Sequence, residues 1–270
     1  MKETVEDNLD CLERMIEYNV ENRIFFLRIT SDLIPFASHK VCDFDWREYF
    51  SKRFNKIGEK IKRHDFRISM HPGQYTVLNS DKKDVFHKSL KDLRYHSNVL
   101  EALGLPSSAK INIHVGGVYG NKQRSKERFV ERYRKLDKRI KRRLVIENDE
   151  KSYTLEDCLD ISTKTGIPVT FDNLHHSINS SGSSVWKAID KVSGTWDNED
   201  GLPIVHYSSQ LPGEKTGRHA ESIDIEHFTA FIEETRWHDF DIMLEVKDKE
   251  KSVLKAIDVL RDDKRFKNNI

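Results

Sequence analysis

The chain has 270 residues, which is enough for one large α/β domain with a substantial core. Charged residues make up 34% of it, and its sequence has no run of about 18 apolar residues, so a membrane-spanning protein is excluded. The 46 basic and 45 acidic residues leave a net charge of +1, so nucleic-acid binding needs a local basic patch. Three cysteines without a CxxC pair, and an N-terminus without a secretory signal, lead us to expect a cytoplasmic protein.

The spacing of apolar residues predicts helices that alternate with strands along the whole chain. An apolar stripe at Leu9, Leu12, Met15 and Ile16 predicts an opening helix, and residues 23–29 have the pattern of a first strand. The other predicted strands are 66–70, 110–114, 144–147, 168–172, 203–206 and 241–246, and the other predicted helices are 46–57, 85–103, 125–141, 154–165, 185–192, 224–235 and 252–264. Residues 207–223 are expected to form a long loop.

This alternation indicates parallel strands joined by right-handed crossovers, in an open sheet or a closed barrel. The number of units favours a TIM-type (β/α)8 barrel, and no glycine-rich dinucleotide fingerprint or P-loop supports the open sheet. A barrel of this type needs eight strands, whereas seven are predicted and a helix comes first. We therefore expect residues 1–270 to form one domain that is N-terminally incomplete and lacks its first strand, or a barrel that closes in an unusual way.

Histidine or acidic residues stand at the ends of six predicted strands. In a barrel the carboxyl ends of all strands meet at one face, so such residues would converge. Any one of them alone is more often structural, but six of six strand ends would match by chance only about 1 to 2% of the time. Mixed imidazole and carboxylate ligands suit manganese, iron or zinc, and a cluster of ions suits phosphodiester hydrolysis. The six residues are His71, His114, Glu147, Asp172, His206 and Glu245, with His39, His175 and His219 as further candidates.

The segment from Arg67 to Leu78 contains His71-Pro72-Gly73-Gln74-Tyr75. It closely resembles the HPGQY segment of the ultraviolet damage endonuclease family, metal-dependent barrel enzymes that nick DNA beside photolesions. The resemblance spans about residues 8 to 250. It includes residues 31–39, 114–117, 147–149, 171–176, 206–208 and 244–245.

The resemblance implies a set of site residues. Gln74 and Tyr75 match the pair that wedges into the duplex at the lesion; the alternative is a tyrosine buried in a rim cluster. His71, His114, Glu147 and Glu245 are the expected catalytic group. The expected ligands of up to three manganese ions, with zinc or magnesium as alternatives, are His39, His71, His114, Glu147, Asp172, His175, His206, His219 and Glu245.

The sequence departs from the family pattern at two places. Ile204 stands two residues before His206, where the family often carries a carboxylated lysine that bridges metals. The family's first strand carries a tyrosine near the lesion, and the corresponding residues are absent from this sequence. One metal position and one lesion contact therefore differ from the family pattern.

The most basic stretch runs from residue 121 to residue 143. Because Phe129, Tyr133, Leu136 and Ile140 form an apolar stripe at helical spacing, most of its charges are expected to face solvent. Lys122 and Arg124, which lie near the loop after His114, are the better candidates for DNA phosphate contacts.

The resemblance implies a metal-dependent endonuclease, which we expect to be a monomer. It would nick double-stranded DNA 5′ to cyclobutane pyrimidine dimers and 6-4 photoproducts, without a nucleotide cofactor. The alternatives are an abasic-site endonuclease or a sugar isomerase on the same fold, or an inactive truncated remnant that binds DNA. The Gln74-Tyr75 pair favours lesion binding over sugars.

Overall fold

The computed structural model describes residues 1–180 and 182–267, and the chain separates into two compact units. Unit 1 is Met1–Val145 and unit 2 is Ile146–Ile270. The expectation of one domain over residues 1–270 stays a prediction. Within the described ranges, each helix is too short or too polar to cross a bilayer.

Unit 1 is built from helices and parallel strands in alternation. The strand order is β1-β2-β3, with Phe26 of β1 opposite Arg67 of β2 and Ser69 of β2 opposite Lys110 of β3. Its elements are α1 (Lys2–Glu21), β1 (Phe26–Ile29), α2 (Trp46–Tyr49), α3 (Ser51–Arg63), β2 (Arg67–Met70), α4 (Lys83–Ala102), β3 (Lys110–His114), α5 (Lys122–Arg134) and α6 (Lys138–Lys141).

Unit 2 continues the same pattern. Its strands follow the order β4-β5-β6-β7, all parallel, and the register places Asp172 of β5 opposite His206 of β6. Its elements are β4 (Leu144–Glu147), which begins in unit 1, α7 (Leu155–Thr165), β5 (Val169–Asp172), α8 (Asn173–Ile178), α9 (Val185–Ser193), β6 (Ile204–Tyr207), α10 (Ile225–Glu234), β7 (Asp241–Leu244) and α11 (Glu250–Leu260).

The predicted strands are confirmed, and the main differences lie in the helices. The predicted helix 125–141 is interrupted, because the Asp137 side chain accepts a hydrogen bond from the Arg139 amide at 2.8 Å and so begins α6. The predicted helix 46–57 is likewise two helices, α2 and α3. Helix α8 was not predicted; it begins where the Asp172 side chain accepts a hydrogen bond from the His175 amide at 2.7 Å.

The opening helix buries a slightly different face from the predicted one. Val5, Leu9, Leu12 and Ile16 are its buried apolar residues, whereas Met15 is 46% exposed. The inclusion of Met15 in the apolar stripe was therefore wrong. Steps of four, three and four residues follow one helix face, and position 15 falls outside that series.

Candidate metal centre

A cluster of buried acidic and imidazole groups lies at the carboxyl ends of the strands of unit 2. Glu147 ends β4, Asp172 ends β5, and His206 lies one residue before the end of β6; each is 2% exposed or less. Ligand atoms of these three side chains lie within 4.8 Å of one another. The parallel register explains this closeness, because it places Asp172 directly beside His206.

A further carboxylate reaches the same imidazole from the next strand. Glu245 directly follows β7, and its amide continues the sheet by donating to the Tyr207 carbonyl at 2.8 Å. His206 Nδ1 lies 2.6 Å from Glu147 Oε2 and 3.3 Å from Glu245 Oε1. The carboxylates of Glu147, Asp172 and Glu245, which come from three strand ends, therefore lie close to the His206 side chain.

The electrostatics of this cluster fit a divalent cation. Burial raises the pKa of the Asp172 carboxyl to about 6, and the neighbouring negative charges of Glu245 and Glu147 act in the same direction. Several buried carboxylates are unfavourable without a compensating positive charge. Oxygen and imidazole donors together match the ligand chemistry of manganese, iron or zinc. The donor set therefore fits a resident metal ion.

Two further histidines lie beside this cluster in unit 2. His175 Nδ1 lies 3.5 Å from Asp172 Oδ2, and the His175 and His219 rings are 6.2 Å apart at a near-perpendicular angle. His219 comes from the segment 207–223, which was predicted to be a long loop. An antiparallel bridge between Gln210 and His219 brings the segment back on itself, which places His219 close to Glu245.

Three of the candidate histidines share one hydrogen-bonding pattern. The Nδ1 atom of His175 donates to the Asn148 carbonyl at 3.0 Å, and that of His219 donates to the Glu245 carbonyl at 2.7 Å. The Nδ1 atom of His71 donates to the Pro72 carbonyl at 3.0 Å. A carbonyl can only accept, so the lone pair of each neutral ring is on Nε2. Metal-binding histidines in proteins are commonly oriented in this way.

Asn148 supports the cluster and was not predicted as a site residue. Its side-chain amide donates to the Asp172 carbonyl at 2.9 Å and accepts from the Asp172 amide at 3.0 Å. This pair of bonds fixes the backbone that carries the Asp172 carboxylate. The only sequence signal was its position next to Glu147 at a strand end.

Unit 1 has its own pair of histidines. His71 follows β2 and His114 ends β3, and their ring centroids are 5.4 Å apart. His39 lies in an exposed turn, where its Nδ1 accepts a hydrogen bond from the Val41 amide at 3.3 Å. The metal-ligand roles of these three histidines stay predictions.

The Gln74-Tyr75 pair lies on an exposed turn of unit 1. Tyr75 is 81% exposed, and the turn is closed by a 2.9 Å hydrogen bond from the Thr76 amide to the Gly73 carbonyl. The alternative of a tyrosine buried in a rim cluster is therefore wrong. The geometry is compatible with a side chain that contacts DNA, and that role stays a prediction.

Three arginines of the basic stretch bind backbone carbonyls instead of facing solvent. Arg128 donates to the Asn79 carbonyl at 2.7 Å, and Arg132 donates to the Leu78 carbonyl at 2.6 Å. Arg143 is buried and donates to the Leu105 carbonyl at 2.8 Å. The predicted apolar stripe of this stretch is confirmed, since all four of its residues are buried.

The two basic candidates for phosphate contacts lie in the first turn of α5. The helix begins at Asn121, whose side chain accepts a hydrogen bond from the Arg124 amide at 2.9 Å. Arg124 is exposed and Lys122 is half-buried. Phosphate binding by Lys122 and Arg124 stays a prediction.

Comparisons with known proteins show the family. A sequence profile described as UV-endonuclease UvdE matches residues 1–269. The UV DNA damage endonuclease of Clostridium perfringens (strain 13 / Type A) is 46% identical over 257 residues, which covers 94% of this chain and 62% of that protein. This chain therefore spans less than two thirds of that relative. The crystal structure of SacUVDE is 47% identical and matches with a TM-score of 0.90, covering 96% of this chain and 88% of that chain.

A more distant structure supports the fold alone. Endonuclease IV from Thermus thermophilus matches with a TM-score of 0.62 at 18% identity, covering 93% of both chains. Seven parallel strands alternate with helices in the described ranges of this chain. These findings confirm the predicted TIM-type (β/α) barrel class.

Proposed function

This chain belongs to the UV-endonuclease UvdE family, and on that premise we propose that it is a metal-dependent DNA repair endonuclease. Its reaction is hydrolysis of a phosphodiester bond in double-stranded DNA, 5′ to cyclobutane pyrimidine dimers and 6-4 photoproducts. The observation that carries the proposal is the buried cluster of Glu147, Asp172 and His206 in a chain that matches this family along its length.

We assign the metal-binding role first to the cluster in unit 2. Glu147, Asp172, His206 and Glu245 would hold divalent ions, preferably manganese, with His175 and His219 as neighbouring ligands. We extend the set to His39, His71 and His114 because the family resemblance assigns ligands there. When bound, such ions supply positive charge for a phosphate oxygen and lower the pKa of a water.

The side chains of the cluster prepare this site in several ways. Glu147 Oε2 and Glu245 Oε1 lie 2.6 Å and 3.3 Å from His206 Nδ1, so carboxylate and imidazole donors are close enough to share an ion. Asn148 fixes the Asp172 backbone, and the burial of Asp172 excludes bulk water from its carboxylate. A fixed and desolvated donor set needs little reorganisation when charge develops in the transition state. His71, His114, Glu147 and Glu245 are the proposed catalytic group.

The proposed substrate contacts lie outside this cluster. Gln74 and Tyr75 would occupy the space that damaged bases leave when they are displaced from the duplex. A photodimer is already poorly stacked, so its displacement costs less than that of intact bases. Lys122 and Arg124 would bind phosphates of the same duplex.

A plasmid assay tests this function. Supercoiled plasmid, irradiated or unirradiated, is incubated with the purified chain and either manganese or a chelator, and conversion to the nicked circle is measured. Manganese-dependent nicking confined to irradiated plasmid is expected. A plasmid with abasic sites tests the alternative of an abasic-site endonuclease. Nicking of that plasmid alone, or no nicking by a cooperatively folded protein with bound manganese, would contradict the proposal.

A further inference from the structure

Helix α4 holds the backbone on the carboxyl side of the Gln74-Tyr75 turn. Ser89 is 1% exposed, and its hydroxyl oxygen accepts a hydrogen bond from the Val77 amide at 2.8 Å. The same hydroxyl donates to the Val85 carbonyl of its own helix at 2.9 Å. Because a hydroxyl has one proton and two lone pairs, Ser89 can make both bonds at once. The Val77 amide is thereby tied to α4.

A second bond ties the neighbouring residue to the same helix. The Thr76 hydroxyl donates to the Asp92 carboxylate, and Thr76 is 7% exposed. Ser89 and Asp92 are three residues apart on α4, so they lie on one face of the helix. Two consecutive residues after Tyr75 are therefore bonded to two side chains of that face.

The following residues of the segment are held as well. Arg128 and Arg132 of α5 donate to the carbonyls of Asn79 and Leu78. In contrast, the Tyr75 side chain is 81% exposed. The backbone that follows Tyr75 is therefore anchored, while the Tyr75 side chain itself is exposed.

We propose that Ser89 and Asp92 are positioning residues that hold the Gln74-Tyr75 turn in one orientation and thereby set the preference for damaged over intact duplex. The selectivity part of this proposal rests on the proposed function. A side chain that enters a DNA duplex gains from being held in advance, because the ordering cost is then not subtracted from binding. The bonds that Ser89 and Asp92 make to Val77 and Thr76 involve no proposed metal ligand.

The first test replaces Ser89 with alanine and uses Ser193→Ala as the matched control. Ser193 donates to the Ile189 carbonyl of its own helix at 2.8 Å, as Ser89 does to Val85. Hydrogen exchange of the segment 73–78 and the ratio of nicking rates on irradiated and unirradiated plasmid are measured. In Ser89→Ala, exchange is expected to rise and the ratio to fall, each by about fivefold, which corresponds to loss of one neutral hydrogen bond. Ser193→Ala should change neither.

A second pair of variants separates the hydroxyl from the packing. Thr76→Val keeps the shape and removes the bond to Asp92, whereas Thr76→Ser keeps the hydroxyl. The valine variant is expected to lose selectivity with little change in the maximal nicking rate on irradiated DNA. The serine variant should recover selectivity. This comparison applies even if Ser89→Ala folds poorly.

The possible results separate the proposal from the function on which it rests. Absence of nicking by the wild-type chain on any plasmid would overturn the proposed function and the selectivity part together, whereas the exchange measurement would still decide whether α4 holds the turn. Unchanged exchange of residues 73–78 in both Ser89→Ala and Thr76→Val would overturn the positioning role. Faster exchange with unchanged damage preference would overturn the link to selectivity.

Discussion

The cluster of unit 2 and the Gln74-Tyr75 turn of unit 1 differ most in their exposure to solvent. Asp172 is 1% exposed, and burial raises the pKa of its carboxyl to about 6, whereas Tyr75 is 81% exposed on a turn held by backbone bonds. The first region concentrates charge at a cost in folding free energy, and the second displays an aromatic ring at little such cost. Substitutions in the two regions should therefore have different consequences for activity, stability and selectivity.

The largest expected effect follows from removing a cluster carboxylate. Glu147→Gln keeps the size of the side chain but removes a negative charge 2.6 Å from His206. Nicking of irradiated plasmid in manganese should fall by about a thousandfold or more, with damaged-duplex binding largely retained.

The matched control for this prediction is Glu131→Gln. This substitution removes an exposed carboxylate of α5 that is paired with Lys135. Its nicking rate should equal that of the wild type. Retained nicking by a folded Glu147→Gln variant would remove Glu147 from the proposed catalytic group.

Asp172→Asn should separate the folding cost of the cluster from its function. The pKa of Asp172 is raised in the folded chain, so ionisation of this carboxyl opposes folding of the metal-free protein as pH rises above about 4, and most fully above about 6. Asparagine removes that cost and can still begin α8 by accepting the His175 amide. Thermal melting in chelator at pH 7 should show a stabilisation on the order of 2 kcal/mol, which disappears near pH 4.

The same variant should respond less to metal. Manganese should raise the melting temperature of the wild type at pH 7 by more than that of Asp172→Asn. Equal shifts in the two proteins, with equal melting temperatures in chelator, would contradict the account of the cluster.

Tyr75→Ala tests the exposed region, where we expect selectivity to change and stability to stay the same. Because Tyr75 is 81% exposed, its removal should leave the melting temperature unchanged within error. Loss of an aromatic contact to bases should lower the preference for irradiated over intact plasmid by about tenfold. A lower melting temperature of Tyr75→Ala, together with an unchanged preference for irradiated plasmid, would contradict this distinction between the two regions.

A smaller effect is expected at an ion-pair cluster that belongs to neither region. Hydrogen bonds from Lys60 and Lys56 on α3 lower the pKa of Glu13 on α1 to about 2. This contribution to stability is present above the unfolded pKa of about 4.3 and is lost as pH falls toward 2. Glu13→Gln should cost less than about 1 kcal/mol at pH 7 in denaturant unfolding, with no change in nicking. A larger loss of stability would contradict this expectation. A loss of nicking activity would show that the ion-pair cluster is coupled to the functional regions.

The sequence was informative where local patterns decide the structure. Short apolar runs between amphipathic helices gave the seven strands, because buried parallel strands have few other residue choices. The helix interruption at Asp137 and the short helix after Asp172 escaped prediction, since single side-chain-to-amide bonds begin these helices and the apolar period does not reveal them.

The same distinction holds for the functional residues. Ligand types at strand ends are visible in the sequence, and the structure brings four of the six strand-end residues together in unit 2, with His175 and His219 beside them. Asn148 and Ser89 were missed because their roles depend on which backbone groups they contact. The carbonyl contacts of Arg128 and Arg132 were missed as well, because helical spacing does not show that a long side chain can reach neighbouring carbonyls.

Cleavage of a defined duplex tests the central claim most directly. A duplex with one thymine dimer is labelled at one end of the damaged strand and incubated with the chain and manganese, and the product is mapped to the nucleotide. The account predicts one metal-dependent cut 5′ to the dimer, and no cut in the undamaged duplex or with the Glu147→Gln variant. A cut that persists in chelator, falls elsewhere, or fails to form with a folded and manganese-bound chain would contradict it.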